Sequence, residues 1–65
     1  MIDLIEYATE LAERFPDMKD HEIILSCEEF AGYEFGEVGE RIVLAAYNFG
    51  TTSAKRTAEF FGATF

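Results

Sequence analysis

The longest helical pattern in this 65-residue chain covers residues 37–50 and reads EVGERIVLAAYNFG. Its main apolar residues recur at helical spacing: Val38, Ile42, Ala45, Ala46 and Phe49. Val43, Leu44 and Tyr47 add apolar side chains around the rest of the circumference. A helix that is apolar on most sides normally lies at the centre of a fold. The pattern therefore predicts a central helix over residues 37–49, ended by Gly50.

A first helix is predicted near the start of the chain. Asp3 with Glu6 three residues later resembles a capping box, in which acidic groups lie at the positive end of the helix dipole. Because Pro16 disfavours helical geometry in the residue before it, this helix should end near Phe15. Its apolar stripe is formed by Leu4, Ala8, Leu11 and Phe15.

A second helix is predicted after a short break. Either Asp17 or Asp20 can cap its start, since both side chains can accept a hydrogen bond from the first turn. Gly32 and Gly36 weaken its end. The residues expected to face inward are Ile23, Cys27, Phe30 and Ala31, with Ile24 beside them.

A short fourth helix should follow Gly50, capped by Thr51 or Thr52 and ended by Gly62. The residues expected to face inward are Ala54, Ala58 and Phe61. No segment shows the strict alternation of polar and apolar residues that indicates a strand. The sequence therefore predicts an all-α fold, a compact bundle of three to four short helices in one domain over residues 1–65. The residues expected to be buried include Leu11, Ile42 and Ala45.

The charge of the chain is divided unevenly. The net charge is −8 at pH 7, but residues 1–40 carry −10 and residues 41–65 carry +2. Affinity for nucleic acid depends mainly on cationic side chains that replace counterions on the phosphates. The first forty residues should therefore repel nucleic acid, and only the last third of the chain could approach it.

The sequence offers little for catalysis, metal binding or membrane insertion. His21 and Cys27 are six residues apart and should point to different sides of a helix, so they do not suggest a nucleophile with its base. The carboxylates lack the spacing of known metal motifs. The longest apolar run, residues 42–47, is far shorter than the roughly 20 residues that cross a bilayer. We expect a non-enzymatic, cytoplasmic protein without cofactor, metal or membrane contact.

The last third of the chain carries one resemblance. Residues 46–64, AYNFGTTSAKRTAEFFGAT, resemble the opening of a homeodomain-like, transposase-type helix-turn-helix, with Ala58, Phe61 and Gly62 as its Ala-x-x-Phe-Gly segment. The resemblance covers the helix that crosses the phosphate backbone but not the recognition helix. It implies Lys55 and Arg56 as phosphate contacts. The alternative is that the motif residues serve only in helix packing and capping.

An acidic face is predicted on the first two helices. Glu6, Glu10 and Glu13 repeat at spacings i, i+4 and i+7, and Glu22 and Glu29 continue the acidic character on the second helix. Like charges at such spacing destabilise a helix. The pattern suits a protein that occupies a basic groove on its partner, as small phage-encoded inhibitors and DNA mimics do. The alternative is a solvated face that keeps the protein soluble.

An aromatic patch is also predicted, because the chain has ten Phe and Tyr residues. Those off the main stripes are Tyr33, Phe35, Phe60 and Phe65. Exposed aromatic residues are enriched at interfaces, so we expect them to form a docking patch or a homodimer surface. The sequence thus favours a small acidic helical module that binds another macromolecule, in the first place a protein, as a regulator or inhibitor. The alternative is a helix-turn-helix domain that binds DNA or regulates transcription.

Overall fold

The structure, a computed structural model, describes residues 3–62 and contains four α-helices. In chain order they are α1 (Leu4–Arg14), α2 (Asp20–Ala31), α3 (Glu37–Phe49) and α4 (Thr51–Phe61). No strand occurs within residues 3–62. The predicted all-α bundle is confirmed, and all four helices are present.

Helix α3 packs against each of the other three helices, and most extensively against α4. Helix α1 also contacts the other three, whereas α2 and α4 do not pack against each other within the described residues. Helix α3 therefore has the central position that its apolar circumference predicted. After α4, helix α1 is the helix on which α3 packs most extensively.

The starts of the first two helices are fixed by different side chains. Asp3 Oδ1 accepts a hydrogen bond from the Glu6 N–H at 2.8 Å, so the predicted cap of α1 is confirmed. The prediction that Asp17 or Asp20 caps α2 is wrong, because the N-cap residue is Lys19. The Glu22 carboxylate accepts from the Lys19 N–H at 2.8 Å. The Glu22 carboxylate thus satisfies the N–H of the N-cap residue, which is one of the two hydrogen bonds of a capping box.

A single residue, Gly50, ends α3 and begins α4. Its φ of +103° and ψ of 178° lie in a region that is essentially restricted to glycine. Its N–H donates to the carbonyls of Ala45 and Ala46, and its own carbonyl accepts from the Ala54 N–H at 3.2 Å. The prediction that Thr51 or Thr52 caps α4 is therefore wrong, because both residues lie inside the helix.

The core is drawn from all four helices and one loop. Its buried residues are Leu4, Ile5, Ala8, Leu11, Ile23, Cys27, Phe35, Ile42, Val43, Ala46, Tyr47, Ala54 and Ala58. The predicted burial of Leu11 and Ile42 is confirmed, whereas Ala45 is only half-buried. The reason is that the buried side of α3 is rotated around the helix axis toward Val43 and Tyr47. Several sides of α3 are apolar, so periodicity alone did not identify the one that packs.

Four phenylalanines that were predicted to face inward are exposed: Phe15, Phe30, Phe49 and Phe61. Phe15 follows the last residue of α1, so its side chain leaves the apolar stripe of that helix. Phe30 stacks on Tyr7 at the surface, with the ring centroids 4.1 Å apart. Phe49 and Phe61 lie on the sides of α3 and α4 that face away from the core.

Candidate functional site

An open groove of about 630 Å³ runs along the outer side of α3 and α4. Helix α3 lines it with Arg41, Leu44, Ala45, Asn48 and Phe49. Helix α4 lines it with Ser53, Arg56, Thr57, Phe60 and Phe61. Both sets have the spacing i, i+3, i+4, i+7 and i+8, which is one complete face of a helix. We call this surface the α3/α4 groove.

The groove is formed because α3 and α4 each pack one side on the core and leave a second side facing outward. On α3 the core takes Ile42, Val43, Ala46 and Tyr47, and the groove takes the opposite side. On α4 the core takes only Ala54 and Ala58, whose small side chains leave space for the helix to pack closely on α3. The larger side chains of α4 therefore face outward.

Three phenylalanines give the groove its apolar character. Phe49 is 79% exposed, Phe60 is 83% exposed and Phe61 is 40% exposed. The rings of Phe60 and Phe61 meet edge to face, with centroids 5.0 Å apart. Leu44 and Ala45 continue the apolar surface between them on α3. Exposed aromatic side chains clustered in one concave surface are typical of an interaction site.

Two guanidinium groups give the groove a positive charge. The Arg41 guanidinium lies 5.8 Å from the centre of the Phe61 ring and pairs with the Glu37 carboxylate at 2.9 Å. Both members of that pair are exposed, so the pair is weak. Arg56 forms no ion pair within residues 3–62. None of the described residues that line the groove carries a carboxylate, although the chain as a whole has a net charge of −8.

Two of the three small polar side chains of the groove, Asn48 and Thr57, donate a hydrogen bond to their own helix. The Asn48 side-chain N–H donates to the Leu44 carbonyl at 3.0 Å, and the Thr57 hydroxyl donates to the Ser53 carbonyl at 2.9 Å. A ligand would therefore meet mainly apolar surface and the guanidinium donors. Among residues 3–62, the lining of the groove includes no histidine, cysteine or carboxylate that could act as a base.

The predicted acidic residues are all exposed. Glu6, Glu10 and Glu13 lie along the outer side of α1, and Glu22 and Glu29 lie on α2. The carboxylate of Glu22 is already engaged by the Lys19 N–H. The other four form no ion pair among the residues that the structure describes.

The structure describes three of the four residues of the predicted aromatic patch. Tyr33 and Phe60 are exposed, whereas Phe35 is buried, so its assignment to an exposed patch is wrong. The loop between α2 and α3 turns back on α2, where the Phe35 N–H donates to the Glu28 carboxylate at 2.8 Å. That turn directs the Phe35 ring into the core, against the edge of Tyr33. Phe65 lies outside the described residues.

The two predicted phosphate contacts, Lys55 and Arg56, are both exposed but face different ways. Consecutive residues of a helix point about 100° apart. Arg56 lines the α3/α4 groove and Lys55 does not. The structure therefore does not bring the two cations onto one face.

His21 and Cys27 are not joined into a reactive pair. His21 is exposed, whereas Cys27 is fully buried. Burial, and secondly the neighbouring Glu28 carboxylate, raise the pKa of the Cys27 thiol to about 11. Within residues 3–62, no three His, Cys, Asp or Glu side chains lie close enough together to hold a metal ion. None of the four described helices has the length and apolar character needed to cross a membrane.

Sequence reasoning missed part of the groove, since it assigned Ala45, Phe49 and Phe61 to the core. The signal was present, because Leu44, Ala45 and Phe49 form a second apolar side of the helix beside the one that packs on the core. A helix that is apolar on two sides can pack only one of them on a single core.

The chain was compared with models of protein families, with curated proteins and with solved structures, and none of them matches it. Its function is therefore inferred from its own residues.

Proposed function

We propose that this protein is a non-enzymatic module that binds another protein through the α3/α4 groove, as a regulator or inhibitor. The observation that supports this function is the presence of three exposed phenylalanines on one concave surface formed by two helices. Apolar surface left in water forgoes about 25 cal/mol per Å² that burial would recover. A partner that covers Phe49, Phe60 and Phe61 recovers this free energy.

The composition of the groove matches that of protein interfaces. The residues that dominate binding energies are most often aromatic side chains and arginine, clustered in a pocket that the partner fills. The groove combines Phe49, Phe60 and Phe61 with Arg41 and Arg56. A stable interface covers about 800 Å² on each partner, so the bound protein should extend beyond the groove itself.

The acidic side of α1 is proposed as a second, weaker contact. Glu6, Glu10 and Glu13 are exposed and form no ion pair among the described residues. Exposed carboxylates of this kind mainly raise the rate of association with a basic surface, through long-range attraction. Their contribution should therefore decrease steeply with salt, whereas that of the groove should not.

A photo-cross-linking experiment tests the proposed function. Phe60 is replaced by p-benzoylphenylalanine in the full chain, expressed in its source cell, and adducts are identified by mass spectrometry. Phe15 is the matched control position, because it is also an exposed phenylalanine, at 57% against 83% for Phe60, and lies outside the groove. We expect a discrete protein adduct from position 60 that is absent from position 15 and is lost with Arg56→Glu. Equal adducts from both positions would contradict the proposal.

A second candidate function is DNA binding by a helix-turn-helix domain. The feature that favours it is the tight turn at Gly50, which joins α3 to an α4 bearing exposed Lys55 and Arg56. An electrophoretic shift assay with duplex DNA tests it. Binding that Lys55→Ala and Arg56→Ala abolish would favour DNA over a protein partner. No shift at low salt would exclude this candidate, since phosphate contacts are strongest there.

A further inference from the structure

We propose that the occupant of the α3/α4 groove is a single amphipathic helix of the partner protein, with an apolar stripe flanked by carboxylates. The inference rests on the proposed function and specifies the shape and charge of the surface that binds. It is drawn from the spacing of the lining residues, their polarity and their unpaired charge.

The shape of the groove fits a helix. Each of its two walls is one helical face that spans about eight residues, or roughly 12 Å along the axis. The ridges of a third helix can pack into the furrow between two neighbouring helices, with anchors at i, i+3, i+4 and i+7. A peptide that binds by strand addition would need a free strand edge for its hydrogen bonds, and residues 3–62 contain no strand. A partner helix of two to three turns matches the length of the walls.

The polarity of the groove defines the face that the partner presents. Leu44, Phe49 and Phe60 offer apolar contacts on both walls. The side chains of Asn48 and Thr57 each donate a hydrogen bond to a carbonyl of their own helix, so one donor of each is already used. The stripe of the partner that enters the groove should therefore consist of Leu, Phe, Met or Ile side chains.

The charge of the groove defines what flanks that stripe. Arg56 forms no ion pair within the described residues, and the only carboxylate paired with Arg41 is the exposed Glu37. A carboxylate on the partner can form a charge-assisted, bidentate hydrogen bond with either guanidinium. A second copy that docked the same groove across a twofold axis would present its own arginines and no carboxylate from the described lining residues, so charge disfavours a symmetric dimer.

The test uses a peptide probe and the full-length protein. The acidic peptide is a fluorescein-labelled, hydrocarbon-stapled helix of about 14 residues, with Leu and Phe on one face and Glu on both flanks. The staple is needed because isolated helices of this length are marginal in water. In the basic peptide every Glu is replaced by Lys. Binding is measured by fluorescence anisotropy, and we expect the acidic peptide to bind at least about tenfold more tightly.

Two pairs of variants locate the binding site. Arg56→Glu should weaken binding of the acidic peptide by about tenfold or more, because it replaces an attraction by a repulsion. Lys55→Glu is its matched control, since it makes the same charge change on the same helix outside the groove. Phe60→Ser should also weaken binding, whereas Phe15→Ser should not. All four side chains are exposed, so the circular dichroism spectrum should stay helical in every variant.

Several results would overturn the inference. The first is equal binding of the acidic and basic peptides, or no binding of either peptide up to about 1 mM. The second is an equal effect of Arg56→Glu and Lys55→Glu on binding of the acidic peptide. A concentration-dependent dimer in sedimentation velocity, abolished by Phe60→Ser, would assign the groove to a second copy instead. If the peptides fail but the cross-link at position 60 persists, only the helical, acidic nature of the partner is wrong. If the cross-link is also absent, the proposed function itself is wrong.

Discussion

The hydroxyl of Tyr47 joins α3 to the loop between α1 and α2, and its removal by Tyr47→Phe should measurably destabilise the protein. The hydroxyl donates to the Phe15 carbonyl and accepts from the Met18 N–H at 3.0 Å. The ring itself is buried in the core. The substitution keeps the ring and removes only the oxygen, so the change in stability reports these two hydrogen bonds.

The expected loss is about 2 kcal/mol. A hydrogen bond contributes about 0.5–1.5 kcal/mol net, and both bonds are only partly buried, so water can replace part of what is lost. A domain of 65 residues has a total stability of roughly 3–10 kcal/mol. The loss should lower the melting temperature by roughly 8–16 °C.

Urea denaturation followed by circular dichroism measures this loss, and hydrogen exchange of the Met18 amide reports it locally. Tyr33→Phe is the matched control, because Tyr33 is exposed and its hydroxyl forms no hydrogen bond within the described residues. We expect a shifted midpoint with an unchanged slope for Tyr47→Phe only. Equal midpoints for the two variants, with the Met18 amide still protected, would refute the role of this hydroxyl.

Three further predictions concern the core, the turn and the thiol. Leu11→Ala and Ile42→Ala should each lower the free energy of unfolding in urea by about 2–5 kcal/mol, because both side chains are buried. A decrease below about 1 kcal/mol would contradict their place in the core. Gly50→Ala should lower the free energy of thermal unfolding by about 1–3 kcal/mol, because φ of Gly50 is +103°. Gly36→Ala is its control, and since φ of Gly36 is −83°, it should change the free energy of unfolding by no more than about 1 kcal/mol. The pKa of the Cys27 thiol is raised to about 11 in the folded protein and is about 8.5 in an unfolded chain. The thiol therefore favours the folded state below about pH 9, and this contribution to stability is lost as the pH rises through 11. A urea midpoint that falls between pH 9 and 11 in the wild type, but less in Cys27→Ala, checks this sign.

Local signals predicted the ends of the helices well. Asp3 accepts the hydrogen bond expected of a cap, Gly62 follows the last residue of α4, and α3 ends at Phe49 before Gly50. At both mispredicted starts, other groups accept the hydrogen bonds: the Glu22 carboxylate accepts from the Lys19 N–H, and the Gly50 carbonyl accepts from the Ala54 N–H. Caps depend on a few neighbouring residues, so the sequence contains most of what determines them.

The candidate site was predicted less well. Arg56 was predicted as a phosphate contact from the helix-turn-helix resemblance, and Phe60 as a patch residue from its position off the main stripes; both line the α3/α4 groove. Phe49 and Phe61 were assigned to the core, because a phenylalanine at helical spacing is usually buried. Their exposure depends on how far α3 and α4 are rotated about their axes, which no local pattern specifies.

The sequence by itself determined that this protein is helical, where most of its helices begin and end, and that an acidic region of forty residues precedes a weakly basic one. Only the tertiary structure decided which face of each helix is buried. A chain of 65 residues has too little interior for all of its apolar side chains, so the helices compete for the core. On α4 the small side chains of Ala54 and Ala58 face the core, and the larger phenylalanines lie along the groove.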